Sequence, residues 1–142
     1  MRILHIIDSL GLGGAQVVVK GIFESQSSNK DIFLFALRKK EITTKISHKN
    51  ISISSSNKKY SFSALKELRS FIQKENIDVI HCHLFKSQLF GWILKKYYFP
   101  NIKLIQHEHG RIFQKNKFYN KFIKFSKKET NLFIVVSKAT KK

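Results

Sequence analysis

The sequence predicts an α/β fold in which a parallel sheet carries helices on both faces. Short apolar runs rich in β-branched residues alternate along the chain with segments whose apolar residues recur every three or four positions. The runs are apolar on consecutive residues, as in strands that are buried on both faces. No internal repeat or interdomain linker interrupts the alternation, so we expect residues 1–142 to belong to one domain with right-handed crossovers.

The N-terminal part predicts a strand, a turn, a helix and two more strands. Residues 1–7 form the first apolar run, and three glycines within residues 11–14 mark a tight turn. A helix then begins near Ala15, with apolar positions at helical spacing: Ala15, Val18, Val19, Ile22 and Phe23. Strands follow over residues 31–37 and 51–53.

The C-terminal part continues the alternation. Ser61 or Ser63 caps a helix, whose apolar face is expected to hold Phe62, Leu65, Leu68, Phe71 and Ile72. Strands are predicted over residues 77–82, 102–106 and 132–136. Two helical stripes separate these strands: Phe85, Leu89, Trp92 and Ile93, then Phe118, Phe122 and Phe125. Ser137 stands where an N-cap is expected, and about one turn of chain follows, so we expect the domain to be incomplete.

The composition indicates a basic globular protein. With 142 residues and 42% hydrophobic residues the chain can bury a core, and its apolar runs are far shorter than the roughly 18–20 residues that cross a bilayer. No signal peptide is visible and Cys82 is the single cysteine, so we expect a cytoplasmic location. The net charge of +18 fits either compositional bias or an anionic partner. Because lysine greatly outnumbers arginine, a membrane surface is favoured over nucleic acid.

The glycine turn is the first stretch that could bind a ligand. Glycine tolerates positive φ and lets a ligand approach the backbone, and the helix that follows offers free N–H groups to an anion. Gln16 stands where the dinucleotide fingerprint has its third glycine, and the P-loop Gly-Lys-Ser/Thr is absent. Gly13 and Gly14 therefore predict an anion or sugar-phosphate site, with a turn that only packs the helix as the alternative.

Histidines gather where two of the predicted strands end. His81 and His83 close one strand and share a face by alternation. They can contact a ligand in the crevice at the strand ends, or one of them can simply bond to loop backbone. A metal is not expected, because no carboxylate or cysteine lies nearby in sequence on that face.

The next strand ends in a second polar cluster. His107, Glu108, His109 and Arg111 follow one another there, and such groups are costly unless they are paired or solvated. A ligand site is favoured, and a solvated loop is the alternative.

The segment from residue 115 to residue 128 is also notable, because lysines alternate with aromatic residues. It predicts either an amphipathic contact with an anionic membrane or a core helix with a solvated outer face.

Four segments together resemble the N-terminal, acceptor-side domain of the family 4 retaining glycosyltransferases, which have the GT-B fold. The opening "ILHIIDSLGLGGAQ" resembles the family's strand and glycine turn, with Gln16 where Glu is common. "DVIHCHLFKSQLFG" resembles its "DVIHxH" segment, "LIQHEHG" its strand-to-"EHG" loop, and "LFIVVSKATKK" its strand followed by a Ser-led helix. The four segments occur in the family's order and cover nearly the whole chain.

The resemblance implies a Rossmann-like domain that works in sugar transfer from a nucleotide-sugar donor to a cell-surface polysaccharide, lipopolysaccharide or glycolipid. By position, Gly13 and Gly14 would approach an acceptor or donor phosphate, and His109 would lie beside the transferred sugar as the catalytic residue. His81 and His83 would line the acceptor side. His107, Glu108 and Arg111 complete the expected substrate-binding set. The resemblance implies no metal and no resident cofactor.

The chain departs from the family pattern because the donor-binding domain, with its basic residues and paired glutamates, is missing. A leaving diphosphate needs preorganised positive charge, so we expect a truncated or split enzyme that is inactive without a second polypeptide.

Two other classes of protein are alternatives to a glycosyltransferase. A nucleotide-dependent oxidoreductase would need an acid at the end of the second strand, where the sequence reads "ALRKK". A non-enzymatic basic module that binds a membrane surface or nucleic acid is the remaining alternative.

Overall fold

The computed structural model describes residues 1–39, 42–109 and 117–135. Its strands are β1 (Ile3–Ile7), β2 (Ile32–Ala36), β3 (Ile51–Ile53), β4 (Val79–His83), β5 (Lys103–Glu108) and β6 (Leu132–Val135). Its helices are α1 (Gly14–Ser25), α2 (Phe62–Glu75), α3 (Leu84–Tyr97) and α4 (Lys117–Ser126). The predicted Ser137 cap lies outside the described residues.

The described strands form one parallel sheet in the order β3-β2-β1-β4-β5-β6. From β1 the chain first moves outward to β2 and β3, then returns to place β4 on the other side of β1 and continues to β6. The direction of winding therefore reverses between β1 and β4. In open parallel sheets the crevice for ligands lies at the carboxyl ends of the strands flanking such a reversal.

Helices cover both faces of the sheet, as predicted. On one face α1 packs Ala15, Val19 and Phe23 on the apolar residues of β1 and β2. On the other face, α2 and α3 pack on the alternate residues of β1, β2, β4 and β5. Each fully buried Leu, Ile or Phe side chain in these layers contributes about 1.5–3 kcal/mol to folding. The α/β class is thus confirmed on the described residues.

Ser61 begins α2, since its hydroxyl oxygen accepts a hydrogen bond from the Ala64 amide over 3.3 Å. The predicted apolar face of this helix was wrong at one position, because Phe62 is 90% exposed while Leu68 and Ile72 are buried.

Two other predicted stripes also need correction. In α4 the buried aromatic residues are Tyr119 and Phe122, whereas Phe118 and Phe125 are 62% and 47% exposed. In α1 Val18 is 40% exposed, and Gln16 is buried beside the apolar residues. An aromatic or branched residue at the margin of an apolar stripe is compatible with either environment, so spacing alone did not decide these positions.

Candidate functional site

The three predicted ligand-binding segments lie at one edge of the sheet. β1, β4 and β5 are neighbours and run parallel, so the glycine turn after β1 and the polar ends of β4 and β5 are on the same side. This edge is also the point at which the winding direction reverses, between β1 and β4. The strand order therefore brings the three segments to the same edge.

The glycines of the turn leave space around the backbone, and they do not adopt unusual backbone angles. Gly13 is extended (φ 161°, ψ 163°), and none of the described glycines lies in the left-handed region, so the turn does not use the positive φ that glycine tolerates. A Cβ on Gly13 would overlap the side-chain oxygen of Gln16, whose Nε2 donates to the Ser9 carbonyl oxygen over 3.0 Å. A Cβ on Gly14 would meet nothing within 4 Å. In the described chain no side chain caps α1, so no cap competes with a ligand for the first N–H groups of this helix.

Five of the six histidines form a cluster on one face of the sheet. Its members are His5, His81, His83, His107 and His109. The register places His5 beside His81 and His83 beside His107, and alternation carries His109 to the same face as His107. Among these side chains His5, His83 and His107 are buried, and His81 and His109 are half-buried.

The rings of this histidine cluster contact one another directly. His83 lies between two others, with 3.0 Å from its Nε2 to Nδ1 of His5 and 2.9 Å from its Nδ1 to Nε2 of His109. A neutral imidazole has one donor and one acceptor. His83 therefore donates to one of its two neighbours, His5 or His109, and accepts from the other. His81 and His107 form a separate pair, with 3.0 Å between Nε2 and Nδ1.

The environment favours the neutral form of every member of the cluster. Burial is the main cause, and it lowers the pKa of His5 and His109 to about 4 and that of His81 to about 3. The neighbouring histidines lower these pKa values further, because each would repel a second charge. Burial also lowers the pKa of His83 and His107. At neutral pH the cluster therefore offers uncharged N–H donors and lone pairs.

These contacts change the expectation about metals. The sequence disfavoured a metal because no carboxylate or cysteine lies near His81 and His83 in sequence on their face, but the fold brings histidines from three strands together. Within the described residues two overlapping triads have ring nitrogens all within 4.8 Å of one another: His5, His81 and His83, and His83, His107 and His109. The interpretation of one histidine bonded to loop backbone does not apply, because His81 and His83 bond to other imidazoles.

Glu108, which the sequence grouped with the histidines after β5, is not part of this cluster. Glu108 is 1% exposed and points to the opposite face of β5, where it forms a hydrogen bond with Tyr119. Burial and this carboxyl group raise the pKa of Tyr119. Glu108 therefore acts as a buried partner of α4 rather than as part of the histidine face. Arg111 lies outside the described residues.

A charged cluster at the same edge was missed by the sequence analysis. The Asp8 carboxylate, directly after β1, accepts two hydrogen bonds from the Arg38 guanidinium, over 3.0 Å and 2.6 Å. It also accepts one from Nζ of Lys86 over 2.9 Å, and Lys86 is only 5% exposed. A charged residue immediately after an apolar strand was the available signal for Asp8. Two cations around one carboxylate leave a net positive charge beside the glycine turn.

The junction between β4 and α3 is strained. Leu84 has φ 72°, in the left-handed region that a branched side chain rarely adopts. Its neighbours hold it there, because the rings of His5 and His109 flank His83 and the carboxylate of Asp8 binds Lys86. Strain of this kind is concentrated at functional sites.

Comparisons with known proteins agree with this architecture. The lipopolysaccharide outer core galactosyltransferase WaaB, in its apo form, superposes with a TM-score of 0.70 at 16% identity, covering 99% of this chain and 41% of that one. Sucrose-phosphate synthase from Thermosynechococcus elongatus gives 0.72 at 14% identity, covering 96% and 43%. The chain thus spans less than half the length of these proteins, and at this identity they support the fold alone.

No curated protein matches the sequence. Among the described helices none is long and apolar enough to cross a membrane. The model of Glycosyltransferase Family 4 matches residues 12–142, which include Gly13 and Gly14, the histidine-bearing ends of β4 and β5, and all described strands after β1. The Rossmann-like sheet of GT-B type predicted from the sequence is therefore confirmed, and the chain belongs to glycosyltransferase family 4.

Proposed function

We propose that these residues form the acceptor-side half of a glycosyltransferase. The enzyme would move a sugar from a nucleotide-sugar to a glycan or glycolipid of the cell surface, such as a polysaccharide or lipopolysaccharide. One observation carries the proposal: in a family 4 chain, the open glycine turn and the histidine cluster meet at the carboxyl ends of β1, β4 and β5. This is the position at which sheets of this kind bind ligands.

The glycine turn would hold the anionic or hydroxyl-rich part of a substrate. Gly14 leaves space above the first turn of α1, and the free N–H groups there attract negative charge. The positive surplus around Asp8, supplied by Arg38 and Lys86, acts in the same direction.

His109 would contact the transferred sugar through a hydrogen bond from a neutral ring. Its Nε2 lies 2.9 Å from His83, so Nδ1 is the nitrogen left for a substrate hydroxyl. Burial and the neighbouring His107 keep its pKa near 4, which makes an imidazolium at neutral pH costly. We therefore assign His109 the role of orienting the sugar and sharing a proton, not of supplying fixed charge.

The groups that stabilise the leaving diphosphate are proposed to come from another part of the enzyme. The chain covers 41% and 43% of the two similar structures, and diphosphate departure requires preorganised cations. Two described cations at this edge, Arg38 and Lys86, bind the Asp8 carboxylate and leave a surplus of one positive charge, which is less than the charge of a leaving diphosphate. We therefore propose that the 142 residues bind acceptor but do not turn over a nucleotide-sugar without a separate donor-side polypeptide. The transfer itself is proposed to need no metal.

A binding experiment tests the site. The chain is titrated by saturation-transfer NMR with a panel of bacterial oligosaccharides and with UDP- and GDP-sugars. Gly14→Ala should weaken glycan binding on the order of tenfold or more, because one methyl group enters the ligand space. Gly21→Ala, in the same helix and also facing open space, is the matched control and should leave glycan binding unchanged. Absence of glycan binding by the unaltered chain, or equal loss in both variants, would refute the proposed site.

A turnover experiment tests the division of labour. Release of UDP or GDP is measured with the chain alone, in the presence of the glycans that bind. We expect none above the rate of spontaneous hydrolysis. Sustained turnover by the pure chain would show that the donor-side groups are contained in these 142 residues.

We also propose that α4 rests on an anionic membrane surface. Phe118 and Phe125 are exposed on this helix, and Lys117, Lys121 and Lys124 are exposed beside them. Exposed aromatic rings next to lysines are the pattern that binds at the headgroup level, and the net charge of +18 adds long-range attraction.

Vesicle sedimentation distinguishes this contact from general basicity. Lys121→Glu with Lys124→Glu should reduce binding to phosphatidylglycerol vesicles, by about 1 kcal/mol per lysine removed. The same exchange at Lys66 and Lys74, on the distant helix α2, keeps the net charge equal and should reduce binding much less. Equal losses in the two double variants would assign the attraction to total charge.

A further inference from the structure

We infer that His83, His107 and His109 form a binding site for a divalent transition-metal ion of the zinc type. Ring nitrogens of the three side chains lie within 4.8 Å of one another at the carboxyl ends of β4 and β5. This inference departs from the absence of a metal expected from the sequence, and it does not depend on the proposed sugar transfer.

The donor set suits such an ion. Neutral imidazole is a ligand for Zn²⁺, Cu²⁺, Ni²⁺ and Fe²⁺, whereas Mg²⁺ and Ca²⁺ require oxygen. A tetrahedral zinc ion with Zn–N bonds of about 2.0–2.1 Å holds its nitrogens roughly 3.4 Å apart. His83 Nδ1 and His109 Nε2 already lie 2.9 Å apart. The rings of His107 and His109 are stacked, with centroids 3.9 Å apart, so binding an ion requires these rings to rotate until the three lone pairs converge on it.

The other two histidines of the cluster stand where outer ligands are needed. A metal-bound histidine usually donates its second ring N–H to a nearby acceptor, which fixes its orientation. With Nδ1 of His83 on the metal, its Nε2–H points at Nδ1 of His5, 3.0 Å away. With Nε2 of His107 on the metal, its Nδ1–H points at Nε2 of His81, also 3.0 Å away. An ion would thus keep two of the three imidazole contacts and replace only the third.

Among the described residues, the ring nitrogens of the cluster are hydrogen-bonded only to one another. In the ranges 1–39, 42–109 and 117–135 no carboxylate is hydrogen-bonded to any of the five rings. A proton can be shared by two nitrogens at most, while one metal ion accepts a lone pair from each of three. Five imidazoles on one sheet face are therefore better matched to a metal ion than to repeated protonation.

The overlapping triad of His5, His81 and His83 is the less suitable of the two. It shares His83, so only one triad can be filled, and it lies further from the strand ends. The edge of the His5 ring packs against Phe23, with centroids 5.4 Å apart. His109 follows the last residue of β5 and is half-buried, which leaves a fourth coordination position for water or a substrate oxygen.

Spectroscopy on the full chain tests the site without any assay of activity. The protein is freed of metal with EDTA and titrated with Co²⁺, whose visible absorption reports tetrahedral coordination, then with Zn²⁺ in competition. We expect one equivalent of tetrahedral Co²⁺, displaced by Zn²⁺. His48→Gln, at the histidine outside the cluster, is the control and should leave the affinity unchanged within about twofold, the usual scatter between independent sites.

Two variants then locate the ion. His109→Gln removes a proposed ligand and should abolish the tetrahedral spectrum. His5→Gln removes only an outer acceptor, so it should keep that spectrum and weaken binding about 10–100-fold. The reverse pattern would place the ion in the other triad and overturn the assignment. No stoichiometric binding by the unaltered chain, or equal weakening in His48→Gln, would also overturn it.

A measurement on the unaltered chain covers the case in which a variant does not fold. Long-range ¹H–¹⁵N spectra resolve the ring nitrogens of each histidine. Adding Zn²⁺ should shift Nδ1 of His83 and Nε2 of both His107 and His109, and leave those of His48 in place. Shifts confined to His48, or to His5 and His81, would contradict the proposal.

Discussion

Replacing Gly91 by alanine should destabilise the fold, although alanine is the better helix former. Gly91 lies in α3 where this helix crosses the sheet. A Cβ there would overlap the sulfur of Cys82 and lie 3.2 Å from Cδ1 of Leu104 and 3.4 Å from Cδ1 of Ile80. All three neighbours are 0% exposed, so they have no free space into which to move. The helix must therefore shift away from the sheet.

The magnitude follows from two opposing effects. Adding a methyl group to a close-packed core costs about 1–3 kcal/mol. Replacing a glycine in a helix by alanine gains about 0.5–1 kcal/mol. We expect Gly91→Ala to lower the free energy of unfolding by about 1–2 kcal/mol. The same substitution at Gly21, where a Cβ meets nothing within 4 Å, has only the favourable effect and should stabilise the protein.

Urea unfolding followed by the fluorescence of Trp92, the single tryptophan and itself in α3, measures both variants. A double-mutant cycle identifies the cause. Cys82→Ala removes the overlapping sulfur, so Gly91→Ala should cost less in that background, with a coupling of about 0.5–3 kcal/mol. If Gly91→Ala were as stable as Gly21→Ala, or if the cycle showed no coupling, close packing of α3 on the sheet would not be the reason for this glycine.

Three other predictions concern the polar groups of the interior. With EDTA present, stability should fall as the pH drops from 6.5 towards 4. Between these pH values His5 binds a proton in the unfolded chain but not in the folded protein, where its pKa is lowered to about 4. For such a residue the free energy of unfolding falls by about 1.4 kcal/mol per pH unit. Equal urea midpoints at pH 7 and pH 5 would contradict this. Asp8→Asn should cost about 2–3 kcal/mol in urea unfolding because it leaves the buried Lys86 ammonium without its counter-charge, whereas an unchanged midpoint would mean that water replaces the carboxylate. Gln106→Leu should raise the free energy of unfolding by about 1–3 kcal/mol, since this fully buried amide has no partner among the described residues, and the same change at the exposed Gln73 should have little effect.

The order of the elements could be predicted from the sequence because it depends on local patterns. The strand over residues 51–53 has the predicted bounds, and the other described strands and helices occur where the periodicity placed them. Other strand ends moved by one or two residues. For example, β4 begins at Val79 rather than at residue 77 and extends to His83, because pairing with β1 and β5 decides which residues join the sheet. Pairing between distant strands cannot be deduced from a local pattern.

The candidate site was only partly predictable for the same reason. His81, His83, His107 and His109 were recognised because polar residues at the ends of buried strands are unusual. His5 was missed as a member of the cluster, since one polar residue within an apolar run has no local meaning. Its role depends on β4 lying next to β1, a result of the whole topology.

The place of β1 within the sheet has a consequence for biosynthesis. Its partners on one side come from β4, 76 residues further along the chain. At a translation rate of about 5–20 residues per second, this side of β1 stays unpaired for roughly 4–15 seconds after it leaves the ribosome. Throughout that interval an apolar strand presents open backbone groups to other nascent chains. Expression at low temperature with a chaperone that shields such strands should therefore raise the yield of folded protein.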